Sequence, residues 1–290
     1  MNWQRVGDQR DVLGESLIWD DALNALFWVD IRAPALRRLD WSSGAITTRP
    51  MPSLVGSIAL GRPGRLLVAL GESIHCYDWD AGRLDPVAAL PDSQRGLRFN
   101  DGRCDRQGRF WVGTMHNEIR EPRGALFRLD PGGLTLVRSE VNIPNSLAWS
   151  PDGTRMYFAD SPRHDIECCD YNTNSGHAGK PRVFARIAPP GFADGSAVDA
   201  DGFLWNAEFN GGRVVRYAPD GRVDRVIPVP MPQPTCCGFG GPDLDCLFVT
   251  STSQRLSQEE LAARPLAGAL IMLKPGVRGI VEPRWAGDAA

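Results

Sequence analysis

The chain has 290 residues, of which 42% are apolar, and its net charge of −3 is close to neutral. This balance gives no electrostatic reason to expect binding to nucleic acid or to an acidic membrane surface. No segment approaches the roughly 20 apolar residues of a membrane span, and no apolar signal run follows Met1. We therefore predict a soluble, cytoplasmic protein that binds neither nucleic acid nor membrane.

The seven cysteines are an odd number and include no C-x-x-C spacing. A disulfide framework and a zinc knuckle are both disfavoured by this pattern. We expect free thiols that are buried or half-buried.

A short aromatic or aliphatic strand follows a turn six times along the chain. These marker strands begin at residues 27, 66, 110, 156, 204 and 247. A partner strand precedes each marker across a turn rich in Gly, Asp or Pro, and a third strand follows it. A repeat of about 40 to 50 residues with several short strands is typical of a β-propeller. The pattern predicts an all-β fold, a six-bladed β-propeller with four-stranded blades around a central channel, formed by residues 1–290 as a single domain.

Three details of the repeat need separate predictions. Five units show a fourth strand, but the sixth lacks one, and residues 3–6 are predicted to supply it and close the ring. Residues 254–264 are predicted to form a short helix in a surface loop, which could serve as a lid over the channel mouth. The tryptophans of the paired strands are expected to pack the blades: Trp19, Trp28, Trp111, Trp149 and Trp205.

Polar residues recur where the innermost strands begin. Ten to twelve residues before the six markers lie Glu15, Gly56, Asn100, Asn145, Asp194 and Cys236. Carboxylates that converge in a desolvated channel repel each other, and a bound divalent cation would remove that repulsion. The oxygen donors leave Ca²⁺, Mg²⁺, Mn²⁺, Fe²⁺ and Zn²⁺ open as the ion. The alternative is that these side chains are ordinary caps at the starts of strands.

Five motifs in chain order resemble the family of senescence marker protein (regucalcin), gluconolactonases and related sugar lactonases. They are residues 14–19 with 27–31, residues 98–102 with 113–115, residues 143–150, residues 193–199, and residues 205–207 with 211–214. The resemblance implies a six-bladed propeller with one divalent metal ion, held by Glu15, Asn145 and Asp194. Two departures from the family pattern adjoin these ligands, Ser146 in place of Gly and Ala193 in place of Pro, and neither removes a ligand.

The same resemblance implies which residues meet a small-molecule sugar lactone. Arg98, Asn100 and Glu118 would face the lactone, and His116 is added as a candidate because it lies beside Glu118. Asp194 would also be the general base, activating the water that opens the ring to the aldonic acid.

Three other functions remain open at this point. The propeller could bind calcium without catalysis, could be a metal-dependent esterase or phosphotriesterase, or could be a platform for other proteins. We expect a monomer or a weak homodimer. The sequence does not distinguish among aldonolactones or ring sizes, because these differ by single hydroxyl positions.

Overall fold

The computed structural model describes residues 2–118 and 122–288. Its strands form six antiparallel sheets, so the predicted all-β class and the six blades are confirmed. The N-terminal strand is β1 (Trp3–Val6) and blades 1 to 3 follow it: β2 (Gly14–Asp20), β3 (Ala25–Asp30), β4 (Ala35–Asp40), β5 (Ile46–Pro50), β6 (Val55–Leu60), β7 (Arg65–Leu70), β8 (Ser73–Asp78), β9 (Arg83–Ala89), β10 (Leu97–Cys104), β11 (Phe110–His116), β12 (Gly124–Asp130) and β13 (Gly133–Val141).

Blades 4 to 6 complete the ring, and blade 4 carries one additional short strand. Their strands are β14 (Pro144–Trp149), β15 (Arg155–Asp160), β16 (Asp165–Asn172), β17 (His177–Ala178), β18 (Arg182–Arg186), β19 (Phe192–Val198), β20 (Leu204–Phe209), β21 (Arg213–Tyr217), β22 (Val223–Pro228), β23 (Pro234–Gly240), β24 (Cys246–Ser251) and β25 (Leu270–Leu273). Each predicted marker strand is the second strand of its blade.

The first strand of each blade packs against the first strands of both neighbouring blades, which closes a ring around the channel. Blade 6 takes its outer strand from the N-terminus, as predicted, because β1 pairs antiparallel with β25. This pairing joins the two ends of the chain and covers an otherwise open sheet edge.

Burial decreases from the channel outward. Every residue of β3, the second strand of blade 1, is buried, whereas Ile227 is the one buried residue of β22, the outermost strand of blade 5. Apolar clusters lie between neighbouring blades, one for each pair around the ring. The five tryptophans predicted to pack the blades are each at most 3% exposed: Trp19, Trp28, Trp111, Trp149 and Trp205. All seven cysteines are free and buried, as predicted.

The segment after β25 crosses the far end of the channel. Gly279 bridges to Asp199, and Arg284 bridges to Leu60 in blade 2. Between them Glu282 forms an ion pair with Arg103, whose side chain lies in the channel. This segment therefore lies at the end of the channel where β6 and β19 end, opposite the end where these strands begin.

Helical structure is minor. The predicted helix in residues 254–264 is present as α1 (Gln258–Ala263), capped by Ser257 and Glu260 in a capping box. Within the two described ranges, no helix is long and apolar enough to cross a membrane.

Candidate active site

A β-bulge recurs in the first strand of every blade, at the residue predicted to line the channel. Each of the six first strands shifts register at the point where its candidate residue stands. A bulge bends a strand and re-aims its side chains. The six bulges therefore turn residues that are far apart in sequence toward one end of the channel.

Two of these bulges place serine in the left-handed region. Ser16 follows Glu15 with φ of 53°, and Ser146 follows Asn145 with φ of 62°. Both hydroxyls bond to the next blade, since Ser16 Oγ accepts from the Ile58 N–H (2.9 Å) and Ser146 Oγ lies 2.6 Å from Ser196 Oγ. The departure from glycine at position 146 thus adds a bond between blades that glycine could not make.

Blade 2 contributes no side chain because its neighbour is too close. A Cβ on Gly56 would lie 2.4 Å from the Phe99 carbonyl oxygen of β10. The gap in the ring of donors is therefore a steric consequence of how blades 2 and 3 approach.

Glu15 and Asp194 form the acidic centre of the site. Their carboxyl groups are in hydrogen-bond contact, which requires a proton on one of them when no cation is bound. Burial is the main reason that the pKa of Glu15 is raised, and the charge of Asp101 adds to it. The pKa of Asp194 is raised well above its usual range, first by burial and then by Glu15. Two carboxylates held this way have the chemistry of a divalent cation site.

The amide of Asn145 is oriented by Ser161. The Ser161 hydroxyl donates to the Ala193 carbonyl at 2.6 Å, so its oxygen is left as an acceptor. The Asn145 group that faces it, at 2.9 Å, must therefore be the NH₂. The amide oxygen of Asn145 then faces Asn100 Nδ2, 3.1 Å away, on the cavity side. Alanine and proline supply the same backbone carbonyl at position 193, so this departure from the family pattern keeps the chain of bonds.

Arg98 and Asn100 form the adjoining wall. The Arg98 guanidinium donates to Asn100 Oδ1 (2.8 Å) and to Asn117 Oδ1 (3.1 Å). Burial and the neighbouring charge of Arg32 lower the Arg98 pKa to about 10, which leaves the group protonated at neutral pH. Asn100 also donates to the Pro144 carbonyl, so the third and fourth blades hold it in one orientation.

These side chains border one cavity of about 230 Å³. Its polar wall contains Glu15, Asn145, Asp194, Arg98 and Asn100, all predicted from sequence. Apolar side chains, among them Met115, Ile143 and Phe192, supply the rest of the wall. The structure thus brings together the predicted metal ligands and two of the predicted substrate contacts.

The other two predicted contacts lie beside this cavity. His116 ends β11, and its Nδ1 accepts from the Glu118 N–H at 3.2 Å. Neither residue is among the described residues that line the cavity, although Asn117 between them bonds to Arg98. Their contact with substrate remains a prediction.

A metal ion in this cavity would need the side-chain amide of Asn145 as a ligand. Over residues 2–118 and 122–288, no group of three or more His, Cys, Asp or Glu side chains could hold a metal ion. An ion at the Glu15 and Asp194 pair would therefore take the Asn145 oxygen as its third protein ligand. Two carboxylates and one amide oxygen suit a hard or borderline divalent cation.

Sequence reasoning missed two polar residues that border the cavity, Arg32 and Ser161, and it included Gln254 and Arg255 only as part of the 254–264 loop, the candidate lid over the channel mouth. Arg32 and Ser161 each come within two residues after an aspartate that ends the second strand of its blade, Asp30 in β3 and Asp160 in β15. Aligning the repeats beyond the marker strands would have found this pair. Gln254 and Arg255 come from the loop before α1 and have no counterpart in the repeat.

Asp101 follows Asn100 in β10, and its carboxylate accepts from the Leu147 N–H at 2.9 Å. Its charge also raises the pKa of both Glu15 and Asp194, so it belongs electrostatically to the site.

Proteins similar in sequence and fold are known for nearly the whole chain. The family model of the SMP-30/gluconolactonase/LRE-like region matches residues 13–253. The 6-deoxy-6-sulfogluconolactonase of Pseudomonas putida is 38% identical over 96% of this chain and 97% of its own. The L-arabinolactonase of Azospirillum brasilense is 39% identical over 97% of this chain and 95% of its own. The crystal structure of a calcium-binding protein, regucalcin, from Agrobacterium tumefaciens superposes with a TM-score of 0.93 at 32% identity, covering 97% of this chain and 96% of that one.

Proposed function

Because the chain belongs to the SMP-30/gluconolactonase/LRE-like family, we propose that it hydrolyses a sugar lactone to the open-chain aldonic acid with the help of one divalent metal ion. The observation that carries this proposal is the shared cavity in which Glu15, Asp194 and the Asn145 oxygen face Arg98 and Asn100. The names of two relatives, a sulfogluconolactonase and an arabinolactonase, support an enzyme that hydrolyses cyclic esters.

The residues fit a metal ion. Glu15, Asp194 and Asn145 would hold it and leave positions for water and substrate. When bound, a divalent cation supplies Lewis-acid polarisation of the lactone carbonyl and favours the ionised form of its carboxylate ligands. Ser161 keeps the Asn145 oxygen directed to this place.

Asp194 is placed to act first as the general base and then as the general acid. As an ionised carboxylate it takes a proton from the water that attacks the carbonyl carbon. The bond between that carbon and the ring oxygen then breaks, and the proton passes from Asp194 to the leaving ring oxygen. Water and lactone are thereby converted to one hydroxy acid, and Asp194 returns to its starting form.

Arg98 and Asn100 suit a polyhydroxylated ring. The Arg98 guanidinium has several N–H donors in a fixed plane, and Asn100 offers both a donor and an acceptor. Their mutual bond at 2.8 Å fixes both groups before substrate arrives, which lowers the entropy cost of binding.

The test is hydrolysis of gluconolactone, followed by proton release with a pH indicator, in chelator-treated protein and after metal is restored. Asp194→Ala should lower turnover by about 10²- to 10⁴-fold at saturating metal. Asp220→Ala, at an exposed aspartate that bonds to its neighbour Arg222, is the matched control and should leave turnover unchanged. Turnover of Asp194→Ala within threefold of wild type would show that Asp194 is not the base.

Binding of calcium without catalysis is the second candidate, because the superposable regucalcin from Agrobacterium tumefaciens is described as a calcium-binding protein. The same three ligands would serve. This candidate predicts tight binding of one calcium ion and no lactone hydrolysis with any divalent metal, which the same assay detects.

A further inference from the structure

Two arginines besides Arg98 line the cavity, and neither has an acidic partner among the described residues. Arg32 and Arg255 form no ion pair with any Asp or Glu in the described parts of the chain. Elsewhere this fold supplies such partners, for example Asp11 for the mostly buried Arg37 and Asp199 for Arg216. Arg38 and Arg49 also lack an ion pair among the described residues, but each lies over an aromatic ring. What distinguishes Arg32 and Arg255 is that they line a cavity.

Arg32 has unused hydrogen-bonding capacity. Its Nε is buried and has no partner among the described residues. Its guanidinium donates one long hydrogen bond, 3.3 Å, to the Asn117 carbonyl. The side-chain oxygen of Asn117 also accepts a hydrogen bond from Arg98. Two like charges thus meet at one turn. Burial, and after it the charge of Arg32, lower the pKa of Arg98. A buried donor without an acceptor is costly unless a ligand supplies one.

Arg255 is held at the rim in a conformation that arginine rarely adopts. Its φ is 62°, and the two residues before it are fixed because the Ser253 and Gln254 N–H groups both donate to the Val12 carbonyl. The Arg255 side chain is exposed and makes no bond to the described residues. Backbone strain of this kind persists where surrounding structure enforces it, often at sites that bind ligands.

The charge of Arg98 has a counterpart that these two arginines lack. Arg98 and Glu15 stabilise each other, which assigns Arg98 to the end of the cavity that holds the carboxylates. Arg32 and Arg255 are left without a balancing charge. Arginine presents a planar fork of donors that matches a carboxylate or a sulfonate in a bidentate manner.

From this geometry we propose that the substrate is an anionic sugar lactone, with a carboxylate or sulfonate on the carbon remote from the ester, bound by Arg32 and Arg255. The inference rests on the proposed lactone hydrolysis and adds the class of substrate. The ester would lie at Glu15, Asn145 and Asp194, and the anionic group would lie toward the rim. A neutral aldonolactone offers oxygens that accept from Arg32 Nε, but it leaves the charges of both arginines unbalanced.

The experiment compares three six-carbon lactones that differ only at C6, which carries a hydroxyl, a carboxylate or a sulfonate. The readout is the ratio of kcat/KM for each anionic lactone to that for the neutral one, measured with metal restored. We expect the wild type to prefer at least one anionic lactone by about tenfold or more. Arg32→Gln and Arg255→Gln should each lower that ratio about tenfold, whereas Arg255→Lys should retain part of the preference because it keeps the charge.

Arg278→Gln is the matched control, because Arg278 is exposed and lies far from the cavity. Its neighbour Gly279 bridges to Asp199, which follows the end of β19, whereas Asp194 lies near the start of that strand. This variant should leave the ratio unchanged. Calorimetric binding of the open-chain products provides a second readout that needs no turnover. The product with two acidic groups should bind more tightly than the product with one, and the Arg32 and Arg255 variants should lose this difference.

The ways in which the two proposals can fail are distinguishable. If the neutral lactone is hydrolysed equally well, and the two glutamine variants leave the ratio unmoved, the anion site is refuted and lactone hydrolysis stands. If no lactone is hydrolysed with any divalent metal, the proposed function fails. In that case equal binding of the two products refutes the anion site as well. The carboxylate and sulfonate arms show which anion the site takes.

Discussion

Replacing Ser161 by alanine tests how the metal ligand Asn145 is oriented. The change removes the acceptor for the Asn145 NH₂ group (2.9 Å) and the donor to the Ala193 carbonyl (2.6 Å). Both bonds are buried, so the variant loses two hydrogen bonds, and the Asn145 amide keeps its contact with Asn100 but loses the partner of its NH₂ group.

The magnitude follows from these contacts. Leaving buried polar groups unpaired costs about 1–3 kcal/mol, and we expect the free energy of unfolding to fall by about 2 kcal/mol. Loss of a group that orients a metal ligand typically lowers metal affinity by about 10- to 100-fold. That range corresponds to about 1.4–2.8 kcal/mol of binding free energy.

The assay is calorimetric titration of chelator-treated protein with a divalent metal, and urea unfolding measures stability separately. Ser57→Ala is the matched control, because Ser57 lies in the inner strand of blade 2, is 0% exposed, and its hydroxyl has no partner within the described residues. The control should leave the metal dissociation constant unchanged. If Ser161→Ala binds metal within twofold of wild type, Ser161 does not set the orientation of Asn145.

Three further predictions concern charges in the channel. Arg98→Lys should raise KM for a lactone about tenfold, because lysine lacks the planar fork, and an unchanged KM would remove Arg98 from the substrate site. In metal-free protein the raised pKa values of Glu15 and Asp194 mean that the folded state binds protons more tightly than the unfolded state, so stability should fall as pH rises above about 4. Glu15→Gln should flatten this slope in thermal unfolding with chelator, and an identical slope would contradict the pairing. Glu282→Gln leaves the buried Arg103 without its partner and should lower the free energy of unfolding by about 3 kcal/mol, while a loss below about 1 kcal/mol would show that the pair is not needed.

The blades could be predicted because their determinants are local. Turn residues and short aromatic or aliphatic strands recur in every unit. The six marker strands and the closing strand Trp3–Val6 therefore follow from the repeat alone. The positions of Glu15, Asn145 and Asp194 follow as well, since equivalent residues of a propeller meet at one end of the channel. The converging carboxylates suggested a bound cation, and the choice of these three residues as its ligands came from the family resemblance.

The rest of the site depends on contacts that a repeat does not encode. The bond from Ser161 to Ala193 joins blades 4 and 5, and its partners lie 32 positions apart. Arg255 reaches the cavity because its loop is tied to Val12, at the other end of the chain. The six bulges are register shifts between strands, which the pattern of apolar residues along one strand leaves open.

Stoichiometric titration of metal into stripped protein, with lactone hydrolysis as the readout, tests the central claim most directly. The rate should rise linearly and reach its plateau at one equivalent of a divalent ion, and Asp194→Asn should remain inactive throughout. Full hydrolysis by stripped protein in the presence of chelator would contradict the account, because Glu15, Asn145 and Asp194 would then not hold the ion on which catalysis depends.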